Sequence, residues 1–225
     1  MRPAAIFDLD GTLLPRTSAE RLFLHRAVRA GELGPWAVAA GAAWALARWA
    51  ARRTASPFES KDYLRQAPCA SLEALGVVCV HDDVLPRLRS DLLAALERHR
   101  ERGDLLVLLT GTFDFLGAEI AKALRLEAWA STVLERHSGH FTGRVVPPHP
   151  HGAGKVEVLL ELARRHGIDL GRSTAYANRG SDIAQLALTA YPQAVSPDRA
   201  LRAQARRAHW PVWEDDAAAA SRGSG

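Results

Sequence analysis

The chain has 225 residues, of which 48% are hydrophobic and 24% are charged, and this composition is typical of a globular protein rather than a disordered one. Its formal net charge is +4. The arginines are spread along the chain, so we expect a solvated basic surface and no nucleic-acid partner. Cys69 and Cys79 have neither metal-ligand nor redox spacing, and strand-like sequence begins close to Met1 where a signal peptide would lie. These features predict a cytoplasmic location.

The N-terminal third is predicted to form one short strand followed by helices. The apolar residues Ala4–Phe7 form the strand, and good helix formers between Ser18 and Arg53 predict two helices with a break near Gly31 and Gly34. Residues 35–47 carry no charge and are rich in alanine and tryptophan. A membrane-spanning helix needs about twenty apolar residues. A buried helix is therefore favoured, and association with a membrane surface is the minor alternative.

Strand and helix patterns alternate through the rest of the chain. Residues 71–84 are ambiguous, because Gly76–Val80 has the composition of a strand between helix-like flanks. A hairpin is predicted over Ser138–Val146. Further helices are predicted at Pro86–Arg102, Leu116–Leu124, Lys155–His166, Asp182–Leu188 and Pro197–Ala208, and further strands at Leu105–Leu109, Ala130–Leu134, Ser173–Ala177 and Gln193–Val195.

This alternation predicts an α/β fold, a three-layer Rossmann-like parallel sheet with a helical cap inserted after the first strand. We assign residues 1–16 and 86–216 to the core, 17–85 to the cap and 217–225 to a disordered tail. An insertion at this point lies at the carboxyl edge of the sheet, where open α/β sheets bind ligands. The cap is therefore placed to act as a lid.

Two carboxylates follow the first strand directly, at Asp8 and Asp10. Carboxylates two residues apart at the end of a buried strand repel each other, so stability explains them poorly. One can attack phosphorus or bind Mg²⁺, and the other can transfer a proton. Gly11 lets the chain turn and bring backbone N–H groups close to an anion. The alternative is a solvated loop in which an aspartate caps a helix.

The segment Asp8–Thr12 resembles the first motif of the haloacid dehalogenase superfamily. Three more segments resemble the family's remaining motifs in the expected order: Thr110 at the end of a buried strand, Lys155 at the start of a helix, and Asn178 with Asp182 after a further strand. The insertion between the first two motifs resembles the helical cap of the phosphoserine-phosphatase-like branch. The resemblance spans nearly the whole chain.

The resemblance implies Mg²⁺-dependent hydrolysis of a small phosphate ester through an aspartyl-phosphate. Asp8 is the implied nucleophile and Asp10 the proton donor and acceptor. Because a halide leaving group needs no general acid, an acidic residue at position 10 favours phosphate esters over haloacids. The implied phosphate-binding residues are Gly11, Thr12, Thr110, Gly111 and Lys155, and Lys155 is one of only three lysines in the chain.

The fourth motif departs from the family pattern, because Asn178 occupies the position that is usually a metal-binding aspartate. The implied Mg²⁺ ligands are Asp8, Asp10, Asn178 and Asp182, and the Asn178 amide oxygen brings no negative charge. Two alternatives therefore stay open: a phosphate-ester binding or regulatory protein with degraded activity, and a phosphotransferase that uses the same aspartyl-phosphate. The oligomeric state is left open as well.

Several polar residues outside these motifs have weaker interpretations. His149 and His151, like His137 and His140, lie among prolines and glycines without matching cysteine or glutamate partners, so a loop is favoured over a zinc site. Ser18 and Glu20 are expected to start a helix, and contact with a polar group of a substrate is the alternative.

Overall fold

The computed structural model describes residues 1–34 and 61–214 together with Ala39 and Ala43. Its centre is a sheet of seven strands in the order β4-β3-β2-β1-β5-β6-β7. All neighbouring strands are parallel except β3 and β4. The strands are β1 (Ala4–Phe7), β2 (Leu105–Phe113), β3 (Ala128–His137), β4 (His140–Val146), β5 (Thr174–Ala177), β6 (Tyr191–Val195) and β7 (Val212–Trp213).

Helices cover both faces of this sheet. They are α1 (Ala19–Arg29), α2 (Cys69–Cys79), α3 (Ser90–Glu101), α4 (Asp114–Ala123), α5 (Gly154–His166), α6 (Ile183–Leu186) and α7 (Arg199–Ala208). The arrangement confirms the predicted α/β fold. The predicted tryptophan-rich helix of residues 35–47 and the predicted tail of residues 217–225 lie outside the described residues. Among the helices of the described residues, none combines the length and the apolar character needed to cross a membrane.

The alternation of side chains along β1 builds two hydrophobic clusters, one on each face of the sheet. Ala5 and Phe7 point into the cluster that α1 to α4 cover. Ala4 and Ile6 point into the cluster that α5 to α7 cover. Because both faces are buried, strands such as β2 are continuously apolar. Cap and core residues share the first cluster, and the boundaries of a separate cap at residues 17–85 stay a prediction.

The ambiguous segment of residues 71–84 is helical, and its strand-like part belongs to α2. Leu72, Gly76 and Cys79 recur at helical spacing and are buried. A Cβ atom at position 76 would lie 2.6 Å from the Phe115 ring, so the glycine permits α2 to pack closely on α4. A further turn over Val80–Val84 continues the helix. Of the valines that favoured a strand, Val77 and Val78 are half-exposed on the outer side of α2, whereas Val80 is buried at the start of the following turn.

Several element boundaries differ from the prediction. The helix predicted from Pro86 begins at Ser90, after a short turn that contains the proline. The helix predicted at Asp182–Leu188 is shorter, at Ile183–Leu186. Strand β2 continues to Phe113 rather than ending at Leu109, because β3 pairs with it as far as Phe113.

A hairpin is present, but it begins earlier than predicted: its first strand is β3, and only its turn and second strand, β4, lie within Ser138–Val146. Ser138 and Gly139 join them with φ angles of 47° and 79°, as a two-residue type I′ turn requires. On the other side of β4, the segment that returns from the insertion forms hydrogen bonds with the hairpin. The Lys61 N–H donates to the Gly143 carbonyl at 2.8 Å and the Cys69 N–H to the Gly139 carbonyl at 2.9 Å. Residues 61–69 therefore cover this edge of the sheet.

Candidate active site

The carboxyl ends of β1, β2 and β5 lie side by side, because these three strands are neighbours in the sheet. The turn after β1 is closed by the Gly11 N–H, which donates to the Leu14 carbonyl at 2.7 Å. Gly11 has a φ of 82°, and a Cβ atom there would lie 2.1 Å from the Asn178 amide nitrogen. The turn therefore requires glycine both for its backbone conformation and for the close approach of Asn178.

A buried cation joins two of the predicted carboxylates. The Lys155 Nζ lies 2.7 Å from Asp8 Oδ1 and 3.0 Å from Asp182 Oδ1. The Thr12 hydroxyl donates to Asp8 Oδ2 at 2.9 Å. All four side chains are buried. Burial alone would lower the pKa of Lys155, but the Asp8 and Asp182 carboxylates outweigh it and raise that pKa, so the ammonium stays charged.

Asp10 lies on the insertion side of the same turn. Its Oδ1 accepts a hydrogen bond from the Ala19 N–H at 2.8 Å, which fastens the start of α1 to the turn. Burial, together with the carboxylates of Asp8 and Glu20, raises the pKa of Asp10 to about 7, although the Ala19 hydrogen bond opposes the shift. A carboxyl group with this pKa can hold a proton near neutral pH and also release it.

The two predicted phosphate contacts on β2 differ in placement. Gly111 lines the cavity beside Asp8 and Lys155. Thr110 is fully buried, and its hydroxyl accepts a hydrogen bond from the Thr112 N–H at 3.2 Å. Thr110 is not among the residues that line the cavity, and its side chain lies inside the protein. Its contact with phosphate stays a prediction.

A network of hydrogen bonds that the sequence did not predict holds the Gly111 carbonyl in place. The Thr132 hydroxyl donates to the Gly111 carbonyl at 2.6 Å, and His149 Nδ1 lies 2.8 Å from the same hydroxyl. Since the hydroxyl proton is given to Gly111, Nδ1 of His149 must be the donor to Thr132. The His149 and His151 rings stack with centroids 5.7 Å apart. The only signal in the sequence is the His-Pro-His segment shortly before Lys155.

The absence of a zinc site at the predicted loop histidines stays a prediction. His149 Nδ1 contacts Thr132, and no group of three or more histidine, cysteine, aspartate or glutamate side chains in the described part of the chain is arranged as a metal site. At the start of the insertion, Ser18 caps α1 by accepting a hydrogen bond from the Arg21 N–H at 3.2 Å. The capping interpretation of Ser18 is therefore confirmed.

The residues around Asp8 and Lys155 form the floor of a cavity of about 640 Å³, and α1 forms one of its walls. The floor and its rim consist of Asp8, Asp10, Gly111, His151, Lys155, Arg179, Ser181 and Asp182, and the wall of Ser18, Glu20, Arg21, Leu24, His25 and Val28. The volume is within the usual range for a small-molecule site.

The oxygen atoms around Asp8 form a donor set of the kind that Mg²⁺ prefers. Asp8 and Asp182 would supply carboxylates, and the predicted Asp10 carbonyl and Asn178 amide would supply neutral oxygens. The Asn178 Oδ1 lies 3.5 Å from the Thr12 hydroxyl, on the side where Thr12 contacts Asp8. The residues therefore fit a magnesium ion by ligand type, with one negative charge fewer than an aspartate at position 178 would give.

Comparison with known proteins identifies the class. Residues 5–187 match the family model of haloacid dehalogenase-like hydrolases. Phosphoserine phosphatase SerB1 of Mycobacterium tuberculosis is 31% identical over 93% of this chain and 70% of its own length. The inhibition of morphological differentiation protein of Streptomyces azureus is 28% identical over 94% of this chain and 78% of its own length. The chain belongs to the haloacid dehalogenase-like hydrolases.

Solved structures share the fold of this chain. A protein of unknown function from Bordetella pertussis superimposes with a TM-score of 0.82 at 27% identity, covering 95% of this chain and 98% of the other. A phosphoserine phosphatase in a phospho-aspartyl intermediate analogue form shares the fold, with a TM-score of 0.63 at 17% identity over 95% and 93% of the two chains. The protein is an enzyme of the phosphatase type within this family, and it is similar to the phosphoserine-phosphatase-like branch.

Proposed function

We propose that this enzyme hydrolyses a small phosphomonoester through an aspartyl-phosphate on Asp8, with Mg²⁺ as cofactor. The observation that carries the proposal is the position of Lys155, whose ammonium lies 2.7 Å from Asp8 Oδ1 and 3.0 Å from Asp182 Oδ1 on the floor of the cavity. A buried ammonium between two carboxylates is poorly explained by stability, and it neutralises charge where a phosphate dianion would approach a carboxylate nucleophile.

In the first step, a carboxylate oxygen of Asp8 attacks phosphorus and the bond between phosphorus and the ester oxygen breaks. Asp10 donates its proton to the departing alkoxide, which leaves as an alcohol. Burial of Asp10 keeps its pKa near 7, so the proton is available at neutral pH. Lys155 and the Gly111 N–H bind the phosphoryl oxygens, and we retain Thr110 as a further contact.

In the second step, water attacks the phosphorus of the aspartyl-phosphate, and the bond from phosphorus to the Asp8 oxygen breaks. Asp10, now ionised, accepts the proton of the attacking water, which restores both carboxyl groups and releases inorganic phosphate. The Ala19 N–H holds Asp10 at the edge of the cavity throughout, because it binds the oxygen that does not carry the proton.

Asp8, the Asp10 carbonyl, Asn178 and Asp182 are the residues that would hold Mg²⁺. When bound, the ion supplies additional positive charge against the phosphoryl oxygens. The relative named phosphoserine phosphatase and the size of the cavity support a small phosphorylated metabolite as substrate. Asn178 favours one competing function, the binding of a phosphate ester with little turnover.

The test is hydrolysis of p-nitrophenyl phosphate with Mg²⁺ by the wild-type enzyme and by Asp8→Asn. We expect the substitution to lower kcat at least about 10³-fold, because it removes the nucleophile. Asp82→Asn is the matched control, since Asp82 is an exposed carboxylate outside the cavity. Equal rates for the wild type and Asp8→Asn would refute the proposal. Phosphorylation of an added alcohol in place of phosphate release would identify a phosphotransferase instead.

A further inference from the structure

A second cavity, of about 580 Å³, lies between α3 and the neighbouring strands β5, β6 and β7. Helix α3 contributes Arg98 and His99 to its lining, and the three strands contribute Tyr176, Tyr191 and Trp213. We call it the amino-edge cavity, because it includes the starts of β5 and β6 and the residue before β1. It shares no lining residue with the active site at the carboxyl ends of the strands, and it is large enough for a small molecule.

The floor of the amino-edge cavity is a buried and uncharged pair of side chains. His99 Nε2 lies 2.9 Å from the Tyr176 hydroxyl, and His99 Nδ1 lies 2.7 Å from Asp104 Oδ2. The Tyr176 ring stacks on Phe7, with ring centroids 4.6 Å apart. Burial lowers the pKa of His99, although the hydrogen bond to Asp104 opposes the shift, so the imidazole is neutral at neutral pH. The floor is therefore held in place without adding charge.

The charged residues that line the amino-edge cavity are three arginines and one aspartate. The aspartate, Asp104, is already paired within the protein, because Arg102 Nη2 lies 2.9 Å from its Oδ2. Arg98 and Arg172 are exposed, and within residues 1–34 and 61–214 neither side chain forms a hydrogen bond or an ion pair. The lining therefore has an excess of positive charge that an anionic ligand would balance.

Two of these arginines act on the floor of the amino-edge cavity. Ala95, Arg98 and Arg102 recur at spacings of three and four residues, so they share one side of α3. Burial raises the pKa of the Tyr176 hydroxyl to about 12, and the positive charges of Arg102 and Arg98 oppose that shift. Because charge interactions weaken with distance and with solvent screening, this effect indicates that both guanidinium groups lie near the floor.

The strand side of the amino-edge cavity is aromatic. Tyr176 pairs with Gln193 in the register of β5 and β6, and Tyr191 lies two residues before Gln193 on the same face of the sheet. Tyr191 is 59% exposed. The Trp213 ring is nearly perpendicular to the Tyr176 ring, and its Nε1 donates to Gln193 Oε1 at 2.9 Å. An exposed ring beside a fixed one gives a flat group on a ligand a surface on which to stack.

We propose that the amino-edge cavity binds a nucleotide, with its phosphate groups at Arg98, Arg102 and Arg172 and its base against Tyr191 and Trp213. The guanidinium fork matches phosphate oxygens, and two of the three arginines have no partner within the described ranges. The aromatic side chains suit the base, which carries no charge for the arginines to bind. An inorganic phosphate or a nucleoside would use only one part of this site. The binding requires neither Asp8 nor Mg²⁺.

Isothermal titration calorimetry of the wild-type protein with ADP, pyrophosphate and adenosine tests both parts of the site. Mg²⁺ is left out, so that turnover does not contribute heat. We expect the Kd for ADP to be about tenfold lower than that for pyrophosphate, because only ADP has a base that can stack. Adenosine should bind more weakly than either, since it has no charge for the arginines. Equal affinities for ADP and pyrophosphate, or no binding of ADP, would overturn the proposal.

Variants of the lining locate the binding. Arg172→Gln should raise the Kd for ADP about tenfold, because it removes a charged donor to phosphate. Tyr191→Ser should raise the Kd for ADP and leave that for pyrophosphate unchanged. Arg206→Gln is the matched control, since Arg206 is exposed on α7 and lines neither cavity. An ADP affinity that is unchanged in Arg172→Gln would mean that ADP binds elsewhere, and it would overturn the proposal without touching the proposed function.

Discussion

The Lys155 side chain is placed where it can assist catalysis, although its burial costs stability. Its ammonium and the carboxylates of Asp8 and Asp182 are all removed from water. The mutual attraction of such groups offsets their desolvation only when all of them are present. The same burial that makes the cluster costly keeps the local dielectric constant low, which strengthens the interaction with a phosphate.

Replacing Lys155 by methionine should therefore reduce activity and stability together. We expect kcat on p-nitrophenyl phosphate to fall at least about 10²-fold, because charge neutralisation is the main requirement of phosphoryl transfer. Unfolding in urea should show a loss of about 3–5 kcal/mol, since two buried carboxylates lose their counter-ion. Lys122→Met is the control, because Lys122 is 78% exposed. Full activity of Lys155→Met would exclude a role for this ammonium in catalysis.

Asn178 should weaken the binding of Mg²⁺, because its amide carries no negative charge. Asn178→Asp adds a carboxylate to the donor set, so we expect the apparent Kd for Mg²⁺ to fall at least about tenfold. Thermal unfolding at increasing Mg²⁺ measures this without any turnover, because an ion that binds the folded state raises Tm. Without Mg²⁺ the variant should be less stable than the wild type, since the new charge lies near Asp8. Coinciding Mg²⁺ titration curves for the two proteins would contradict the assigned metal site.

His149 should make stability depend on pH. Burial, with smaller contributions from His151 and Lys61, lowers the pKa of His149 to about 4. The unfolded chain, whose histidines titrate near 6.5, then binds more protons than the folded protein between about pH 4 and 6.5. The free energy of unfolding should thus fall as the pH falls through this window, and the contribution should be fully present above it.

The variant His149→Asn keeps an N–H that can donate to Thr132 and removes the titration. We expect a smaller slope of unfolding free energy against pH between 4 and 6.5, measured by urea denaturation at a series of pH values. His166→Asn, at the exposed end of α5, is the control substitution. An unaltered slope in His149→Asn would show that other groups cause the acid destabilisation.

Residues of the site differ in how far the sequence could predict them. Asp8, Lys155 and Asp182 follow from motifs in which the residues and their order carry the information, and the structure brings these three together. The contact of Thr132 with His149 and Gly111 joins positions 17 and 21 residues apart. No local pattern encodes such a contact, because it depends on how β3 and the loop before α5 meet.

At the scale of elements, Gly76 and Gly117 set the distances between helices and the elements that they pack against. Gly117 of α4 faces Ser131 of β3, and a Cβ atom at position 117 would lie 2.8 Å from the Ser131 Cβ. Helical periodicity correctly predicted this helix. It gave no information about the close approach, which depends on the side chain opposite the glycine.

The substitution Gly117→Ala should therefore destabilise the protein, although alanine is favoured over glycine in a helix by about 1 kcal/mol. Overpacking at a rigid contact costs about 1–3 kcal/mol, so we expect a net loss in urea denaturation. A second substitution, Ser131→Gly, removes the opposing Cβ and should restore much of that loss in the double variant. Additive effects of the two substitutions would show that this contact does not limit packing.

At the scale of the whole molecule, one sheet supports both hydrophobic clusters. Neighbouring residues of β1 point to opposite faces, Ile6 to one cluster and Phe7 to the other. The alternation of strands and helices was sufficient to predict this architecture. The lengths of β2 and β3 were not predictable, because pairing with neighbouring strands decides where a strand ends.

Because the clusters share their strands, they should unfold together. Ile6→Ala and Phe7→Ala should each lower the stability by about 3–4 kcal/mol in a single urea transition that is the same by circular dichroism and by fluorescence. Two separate transitions in either variant would show that the faces of the sheet are independent.

The insertion leaves the sheet where the Ala19 N–H meets Asp10, and the chain returns where Lys61 pairs with Gly143 of β4. Both points of attachment are thus fixed by hydrogen bonds to the frame that carries the nucleophile. Lengthening or exchanging the stretch between residues 34 and 61 would leave the spacing of Asp8, Asp10 and Lys155 unaltered. Changes in the insertion between these two attachments should therefore leave the reaction chemistry of the frame intact.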